Sequence, residues 1–301
     1  MTIEKDIKQF AVIIEPVLKN MLQARNFESE EIVKAMQYAV LNGGKRFRPF
    51  LLHKLGESFQ IDNNILLHLG ACIELIHSYS LVHDDLPAMD NDDERRGKPS
   101  VHKKFTESTA ILVGDALQSQ AFLYLSDERL EVPNNIKIQL VNLLAFYSGT
   151  YNLISGQVLD IAFKQTNSVD KDVEQLLTIN LLKTAKMFGL CGAFVAKLAK
   201  LESALESQII YYCETLGILW QIVDDFNDAI TKPSENANIV LLLKDNESNK
   251  LLEGYKNKIL KLANNINSYI LAKNTLHKNP NNTSNIWLEL VDYILNQKIK
   301  N

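Results

Sequence analysis

The chain has 301 residues, 32 of them basic and 36 acidic, for a formal net charge of -4, and 46 % of it is hydrophobic. That balance excludes a disordered, low-complexity or collagen-like chain, and 12 glycines with 7 prolines leave too few turns for an all-β protein. The slight acidity argues against a nucleic-acid partner, which requires a basic face.

Residues 1–9 alternate charge with isolated apolar residues and lack the apolar core of a signal sequence. No run approaches the roughly 18 apolar residues of a membrane span, so no membrane span and a cytoplasmic location are expected. Ile7, Phe10, Ile14, Val17, Leu18 and Met21 step by threes and fours, an amphipathic helix. Ser29, followed by Glu30 and Glu31, reads as the N-cap of a second helix that ends at Gly43 and Gly44. A third helix is predicted over about 48–58 and a long fourth over about 63–86, stopped by Pro87. Helical periodicity continues over about 107–129, 134–163, 172–200, 203–230, 249–272 and 285–300. Polar stretches at 232–238 and 278–285 separate the later helices. No alternating strand pattern of useful length and no fixed repeat appears. The expectation is an all-α chain, one domain over 1–301, built as a single large bundle of roughly ten or more mostly antiparallel helices. Cys72, Cys191 and Cys213 lie far apart in apolar contexts and read as core residues of a reducing compartment, with no CxxC pair to hold zinc. His53, His68, His83, His102 and His277 read as core or surface residues.

Three segments carry chemistry. Only six basic residues are arginine, and four of them fall in two short stretches. The first, Gly43-Gly-Lys45-Arg46-Phe-Arg48-Pro49, joins two helices; its glycines would let the backbone approach an anion and its arginines offer forked donors. The second follows an acidic cluster. His77-Ser-Tyr-Ser-Leu-Val-His-Asp84-Asp85-Leu-Pro-Ala-Met-Asp90 runs through further acids into Arg95 and Arg96. His77 and Asp84 lie two turns apart on one face, and Pro87 should let Asp90 fold back toward Asp84. Acids beside guanidinium groups point to a metal-bridged polyanion, the metal on the acids and its oxygens on the arginines. The third segment is apolar nearly all round, yet Gln221, Asp224, Asp225 and Asp228 form one stripe at i, i+3, i+4 and i+7. Carboxylates on such a helix repel and lose hydration, which a divalent cation with oxygen ligands would relieve. The plain alternative for either acidic segment is a solvated helix end.

These segments together resemble the trans-isoprenyl diphosphate synthases, or polyprenyl synthetases, and among them the bacterial enzymes that form the fifteen-carbon product. The resemblance spans nearly the whole chain: G-G-K-R-x-R-P from Gly43, D-D-L-P-A-M-D from Asp84, R-R-G from Arg95, G-D-A-L from Gly114, G-Q at Gly156, K-T at Lys183 and Q-x-x-D-D-x-x-D from Gln221. It implies an isoprenoid synthase fold of helices around a central cavity. It implies Mg²⁺-dependent condensation of dimethylallyl or geranyl diphosphate with isopentenyl diphosphate to give (2E,6E)-farnesyl diphosphate, by ionisation, condensation and elimination. It assigns three Mg²⁺ (with Mn²⁺ a substitute), two on Asp84 and Asp90 and one on Asp224, with Asp85, Asp225 and Asp228 as indirect partners. Arg95, Lys183 and Lys232 would grip the allylic diphosphate; Lys45, Arg48, His77 and Arg96 the isopentenyl diphosphate; Thr184 and Gln221 would flank the allylic cation. Tyr79, about 7.5 Å below Asp84 at ~1.5 Å per residue, would floor the hydrocarbon pocket and set product length; its plain alternative is a core aromatic. The C-terminal Lys298 and Lys300 would lie over the diphosphate site or fray, and a homodimer is implied.

Competing readings are a geranyl or geranylgeranyl diphosphate synthase, a non-catalytic prenyl synthase subunit, and a di-metal carboxylate oxidase, for which Glu74-x-x-His77 supplies one of the two required elements. The subunit would be expected to lose aspartates from a cluster, and both clusters are intact. Four departures from the pattern stand out: a short connector after Asp228, Asn236 where relatives carry a lysine, Ala185 for the glycine after Lys-Thr, and Ser155 before Gly156. The short connector and the missing charge at 236 predict weakened diphosphate binding or altered closure, with the chemistry retained. Asn236→Lys is expected to lower KM for the allylic substrate in steady-state kinetics; an unchanged KM would count against that role.

Overall fold

The computed structural model describes residues 2–23, 29–166, 172–231, 237–243, 245–276 and 285–298. Lys232, Asn236, His277 and Lys300 therefore lie outside the described residues, as does nearly all of the 278–285 stretch. Among these residues the fold is all-α apart from one hairpin of two-residue strands.

Helix α1 (Ile3–Met21) buries Ile3, Ile7, Phe10, Ile14, Leu18 and Met21, the stripe its spacing demands. Val17, placed in that stripe from sequence, is half-exposed. Helix α2 (Glu30–Leu41) starts after Ser29, but Ser29 has helical angles and forms no side-chain cap; Glu30 and Glu31 in the first turn face the positive helix end instead. The chain then turns through Gly43 and Gly44, at φ 91° and 119°, where side chains other than hydrogen are strained. Helix α3 (Phe47–Ser58) follows. Helix α4 (Asn63–Asp84) is capped by Asp62, whose carboxylate accepts the Asn64 and Ile65 N–H groups. The hairpin β1 (Glu94–Arg95) and β2 (Lys98–Pro99) is antiparallel; strands this short carry no periodic signal in the sequence.

The later elements are α5 (Val101–Lys104), α6 (Glu107–Leu125), α7 (Asn134–Ser148), α8 (Leu153–Gln165), α9 (Val173–Asn180), a π turn (Leu181–Ala185), α10 (Lys186–Leu198), α11 (Ser203–Thr231), α12 (Ile239–Leu242), α13 (Asp245–Leu276) and α14 (Ile286–Leu295). The expected helix over 134–163 is two helices. The Asn152 side chain donates to the Phe146 carbonyl at 3.0 Å, and the Ser148 hydroxyl to Leu144 at 2.7 Å, so carbonyls of the last turn of α7 find side-chain donors where Gly149 follows. The run over 172–200 is interrupted by the π turn.

Contacts gather into two compact units, Met1–His53 with Asp62–Val141, and Lys54–Ile61 with Asn142–Asn301. In the first, α4 packs chiefly on α6 and also on α1 and α2. The G-D-A-L glycine has a steric reason there: any Cβ on Gly114 would strike the His83 imidazole, which is hydrogen-bonded to the Ile111 carbonyl at 3.0 Å. In the second, α10 and the π turn pack on α11, with α13 and α14 beside it. The buried Tyr212 hydroxyl donates to the Trp287 carbonyl at 2.6 Å, pinning α14 to α11. Two runs, Asn63–Asp84 and Val173–Leu198, are after all long and apolar enough to cross a membrane, but 72 % of each is buried within the protein, as core helices require.

Ala185, flagged as a departure, meets a compensating residue. A Cβ on Gly217 would lie 2.6 Å from the Ala185 Cα and 3.0 Å from its Cβ. Gly217→Ala is therefore expected to destabilise by about 1–3 kcal/mol, despite the ~1 kcal/mol that alanine gains in a helix. Ala185→Gly in the same chain should restore part of the loss. Additive effects of the two changes in thermal denaturation would show that this close approach is not the cause.

Candidate active site

In the first unit, α4 brings Glu74, His77, Tyr79 and Asp84 along one helix. Past Asp84 the chain folds back as Pro87 predicts: the Asp90 N–H donates to the Asp84 carbonyl at 2.8 Å and the Asp92 N–H to the Asp85 carbonyl at 3.2 Å. Asp84 and Asp90 are half-exposed at this turn. Asp85 points elsewhere. It is 3 % exposed and accepts from Arg95 through both Nε, at 2.9 Å, and Nη2. Burial raises the Asp85 carboxyl above its ordinary value, and the guanidinium offsets only part of that.

The glycine loop does something other than approach an anion directly. Arg96, at φ 57°, donates through Nη1 to the Gly43 carbonyl. Its guanidinium occupies the space a Gly44 side chain would need, 2.7 Å from the Cβ position. Gly44 makes room for Arg96, whereas a Cβ on Gly43 would meet nothing within 4 Å. Arg46, one of the loop arginines read as a forked donor, turns its fork inward. It is 5 % exposed, with Nη1 2.5 Å from Glu74 Oε1 and Nη2 donating to the Val40 carbonyl at 2.5 Å. This pair removes the Glu74-x-x-His77 metal element, because the carboxylate is already held.

Arg48 Nη1 lies 3.2 Å from His77 Nε2. A guanidinium only donates, so Nε2 accepts and the neutral ring carries its proton on Nδ1. Burial first, then the charges of Arg48, Arg96, Arg46 and Arg95, hold His77 well below its ordinary value. Lys45 is exposed at the loop. Tyr79 is 4 % exposed, its ring edge-on to His83 at 5.9 Å, and burial pushes its phenol up to about 12.

In the second unit, α11 presents Gln221, Asp224 and Asp228 half-exposed among buried Ile222 and Val223. Asp225 is buried. Its Oδ1 accepts from Gln221 Nε2 at 3.0 Å and its Oδ2 from the Ile239 N–H at 2.9 Å, while Asn238 donates to its carbonyl at 2.7 Å. Asp225 thus holds the start of α12 and orients Gln221, which accepts a long 3.4 Å contact from Thr184 Oγ1. Thr184 and Lys183 sit in the π turn, a device that re-aims side chains within a helix. Lys183 Nζ donates to Asp160 Oδ2 at 2.7 Å, and Lys164 lies 3.2 Å from the same oxygen. Asp160 was missed from sequence; its signal was a carboxylate in the apolar α8, one turn beyond Gly156. A side chain on Gly156 would strike the Lys183 backbone. Lys298 Nζ stands 3.4 Å from the Phe226 ring centroid, two residues from Asp224.

The acidic side chains fit a hard divalent cation. Asp84, Asp90 and Asp224 offer oxygen donors alone. Among the described residues no three carboxylates, histidines or cysteines form a closed metal cage. Mg²⁺ needs none where one or two carboxylates and substrate phosphates share its coordination.

The sequence profile of polyprenyl synthetases matches residues 29–251. The chain is 39 % identical over 206 residues to farnesyl diphosphate synthase of Escherichia coli (strain K12), covering 68 % of each chain. Among solved structures, a geranyltransferase of Legionella pneumophila is similar at TM-score 0.83 and 30 % identity, covering 98 % of this chain and 96 % of that one. An FPP/GFPP synthase of Zymomonas mobilis is similar at TM-score 0.80 and 33 % identity, covering 86 % and 91 %. The chain belongs to the polyprenyl synthetase family, and it is a prenyltransferase.

Two half-buried histidines give the free protein a pH signature. His68, through burial, and His77, through burial and the arginines, are both held below their ordinary value. Above about pH 6.5 they are neutral in folded and unfolded chains alike. Below it the unfolded chain takes up protons first, so stability falls by at most about 1.4 kcal/mol per pH unit for each histidine. Urea unfolding at pH 7.5, 6.5 and 5.5 should show this decline, reduced in His68→Gln. A flat profile would contradict it.

Proposed function

We propose that the protein condenses dimethylallyl and then geranyl diphosphate with isopentenyl diphosphate, releasing diphosphate and forming (2E,6E)-farnesyl diphosphate, with residues 1–301 acting as one catalytic domain. The observation that supports this most is the Asp84–Asp90 turn at the end of the apolar α4, followed at once by the hairpin that carries Arg95 and Arg96. Carboxylates and guanidinium groups held this close suit a metal–diphosphate complex and little else.

In this reading Asp84 and Asp90 would hold two Mg²⁺ and Asp224 a third, with Asp228 an indirect partner; the ions would supply neutralisation of the charge on the departing diphosphate. Arg95 and Lys183 donate to the allylic diphosphate as its C–O bond breaks, and Lys232 adds a charge from outside the described residues. Lys45, Arg48, His77 and Arg96 hold the isopentenyl diphosphate so that its double bond faces the allylic carbon. Thr184 and Gln221 direct oxygens toward the cation, Gln221 oriented by Asp225. A new C–C bond forms, and the departed diphosphate takes the proton lost in elimination. Tyr79 closes the far end of the hydrocarbon pocket.

The partner we propose is a second copy of the chain. Ile111, Leu112 and Leu123 on α6, and Ile138 on α7 at 70 % exposure, leave an apolar face in the first unit. Tyr151 at 74 % and Val158 at 61 % do so in the second. Light scattering should give the dimer mass, and Ile138→Glu the monomer.

Incubation with the two five-carbon diphosphates and Mg²⁺, followed by chromatography, should give the fifteen-carbon product. Activity should vanish with EDTA and return with Mg²⁺ or Mn²⁺. Tyr79→Ala should shift products to twenty carbons or more. No product at all would overturn the enzymatic reading; a twenty-carbon product from the unaltered chain would overturn the fifteen-carbon assignment and the role of Tyr79 while leaving prenyl transfer in place.

A further inference from the structure

The buried ion pair between Arg46 and Glu74 lies behind the proposed diphosphate site without reaching it. Both side chains are almost fully enclosed, at 4 % and 2 % exposure. Taking two charges out of water is expensive, and apolar residues of equal volume usually serve stability as well or better. The pair therefore calls for a reason beyond stability, and its connections supply one.

Arg46 follows the left-handed glycines and itself has φ 52°, which directs its guanidinium inward. One edge of the fork meets Glu74 on α4 and the other the Val40 carbonyl near the end of α2. Glu74 stands one turn before His77 on α4, and Arg46 stands two residues before Arg48. The Arg48–His77 contact at 3.2 Å closes the ring. The circuit runs Arg46, Glu74, one helical turn to His77, Arg48, and two residues back to Arg46. The Gly43 carbonyl that holds Arg96 belongs to the same loop. Three donors proposed for one diphosphate thus take their register from a single internal pair. Burial disfavours the charge on Arg96, and of the two members of the pair Glu74 offsets that while Arg46 adds to it.

We infer that Arg46 and Glu74 are positioning residues for the isopentenyl diphosphate half of the site, fixing the distance between the glycine loop and α4 at which Arg48, His77 and Arg96 converge. This rests on the reading that these three groups bind that diphosphate. Removing the pair moves donors and leaves the acidic turn at Asp84 to Asp90 in place, so binding of the two substrates is affected unequally.

The test compares the full-length wild type with Glu74→Gln and with the double variant Arg46→Met, Glu74→Leu. The measurements are kcat, both KM values, isopentenyl diphosphate affinity by calorimetry, and the denaturation midpoint. In Glu74→Gln the KM for isopentenyl diphosphate should rise about tenfold, since misplacements near 1 Å carry penalties of this order and above, while the allylic KM stays within about twofold. The double variant should regain the wild-type midpoint and keep the weakened isopentenyl diphosphate affinity. A double variant with wild-type affinity would overturn the inference and leave the pair a packing element. So would a Glu74→Gln chain in which both KM values and kcat change together. If Glu74→Gln does not fold, the double variant decides alone. If the wild type forms no prenyl product, the functional reading fails separately, and calorimetry with inorganic diphosphate on the same chains decides the inference.

Discussion

A charge withdrawn from water must be met by another charge or by several hydrogen bonds, and this requirement organises the protein around α4 and α11. Both helices are long and mostly buried, and both carry carboxylates where apolar residues would pack more easily. In the first unit Glu74 is met by Arg46 and Asp85 by Arg95. In the second Glu214 is met by Lys186 at 2.7 Å, Asp160 by Lys183, and Asp225 by the Gln221 amide and the Ile239 N–H. Apart from Gln221, which shares α11 with Asp225, each partner comes from a different element, so these pairs also fix the position of one segment on another.

Once the innermost acids are matched, the half-exposed ones take on a different character. Asp84 ends α4 and Asp90 lies in the turn that follows it, while Asp224 and Asp228 lie in the last three turns of α11, each of Asp84 and Asp224 directly beside a buried acid. The cations proposed to bind diphosphate are meanwhile kept from wandering. Arg95 uses Nε and Nη2 on Asp85, and a guanidinium has five donors in a fixed plane. Its remaining edge is oriented before any ligand arrives. Lys183 places one of its three donors on Asp160 and is held there. Long side chains lose up to ~2 kcal/mol of rotamer freedom when fixed, so a cation already held by a neighbour starts with part of that ordering complete.

The sequence shows the helices because burial writes a period of three to four residues into them. It shows the acidic and basic segments because their composition is anomalous for apolar helices. The return of Asp90 to Asp84 was legible because Pro87 permits few other paths. What the sequence did not reveal are pairings between distant residues. Arg46 and Arg48 are indistinguishable as letters, yet one is buried against Glu74, 28 positions away, and the other reaches His77. Asp84 and Asp85 differ in the same way. The side of a helix that faces solvent follows from its period, whereas the particular cation beneath it depends on how another element is packed. The break at Gly149 and the π turn at Leu181 were hidden for a related reason. Both leave the apolar spacing nearly intact and change only which carbonyl each N–H meets.

The π turn shows how such backbone irregularities are sustained. A widened turn pushes its backbone outward, and neighbouring helices must yield. Gly156 on α8 yields to Lys183, and Gly217 on α11 yields to Ala185. Both glycines lie inside helices, where each forgoes about 1 kcal/mol relative to alanine. That local loss is consistent only with a gain elsewhere, and the gain is geometric: Lys183 and Thr184 leave the turn aimed at Asp160 and Gln221. The alanine at 185 is thus tolerated because the required space is supplied from the facing helix. A glycine at 185 would remove only the 3.0 Å contact with the side chain and leave the 2.6 Å approach to the Cα, so it is the backbone of the turn that requires a glycine at 217, and alanine at 185 adds only the smaller part of the demand.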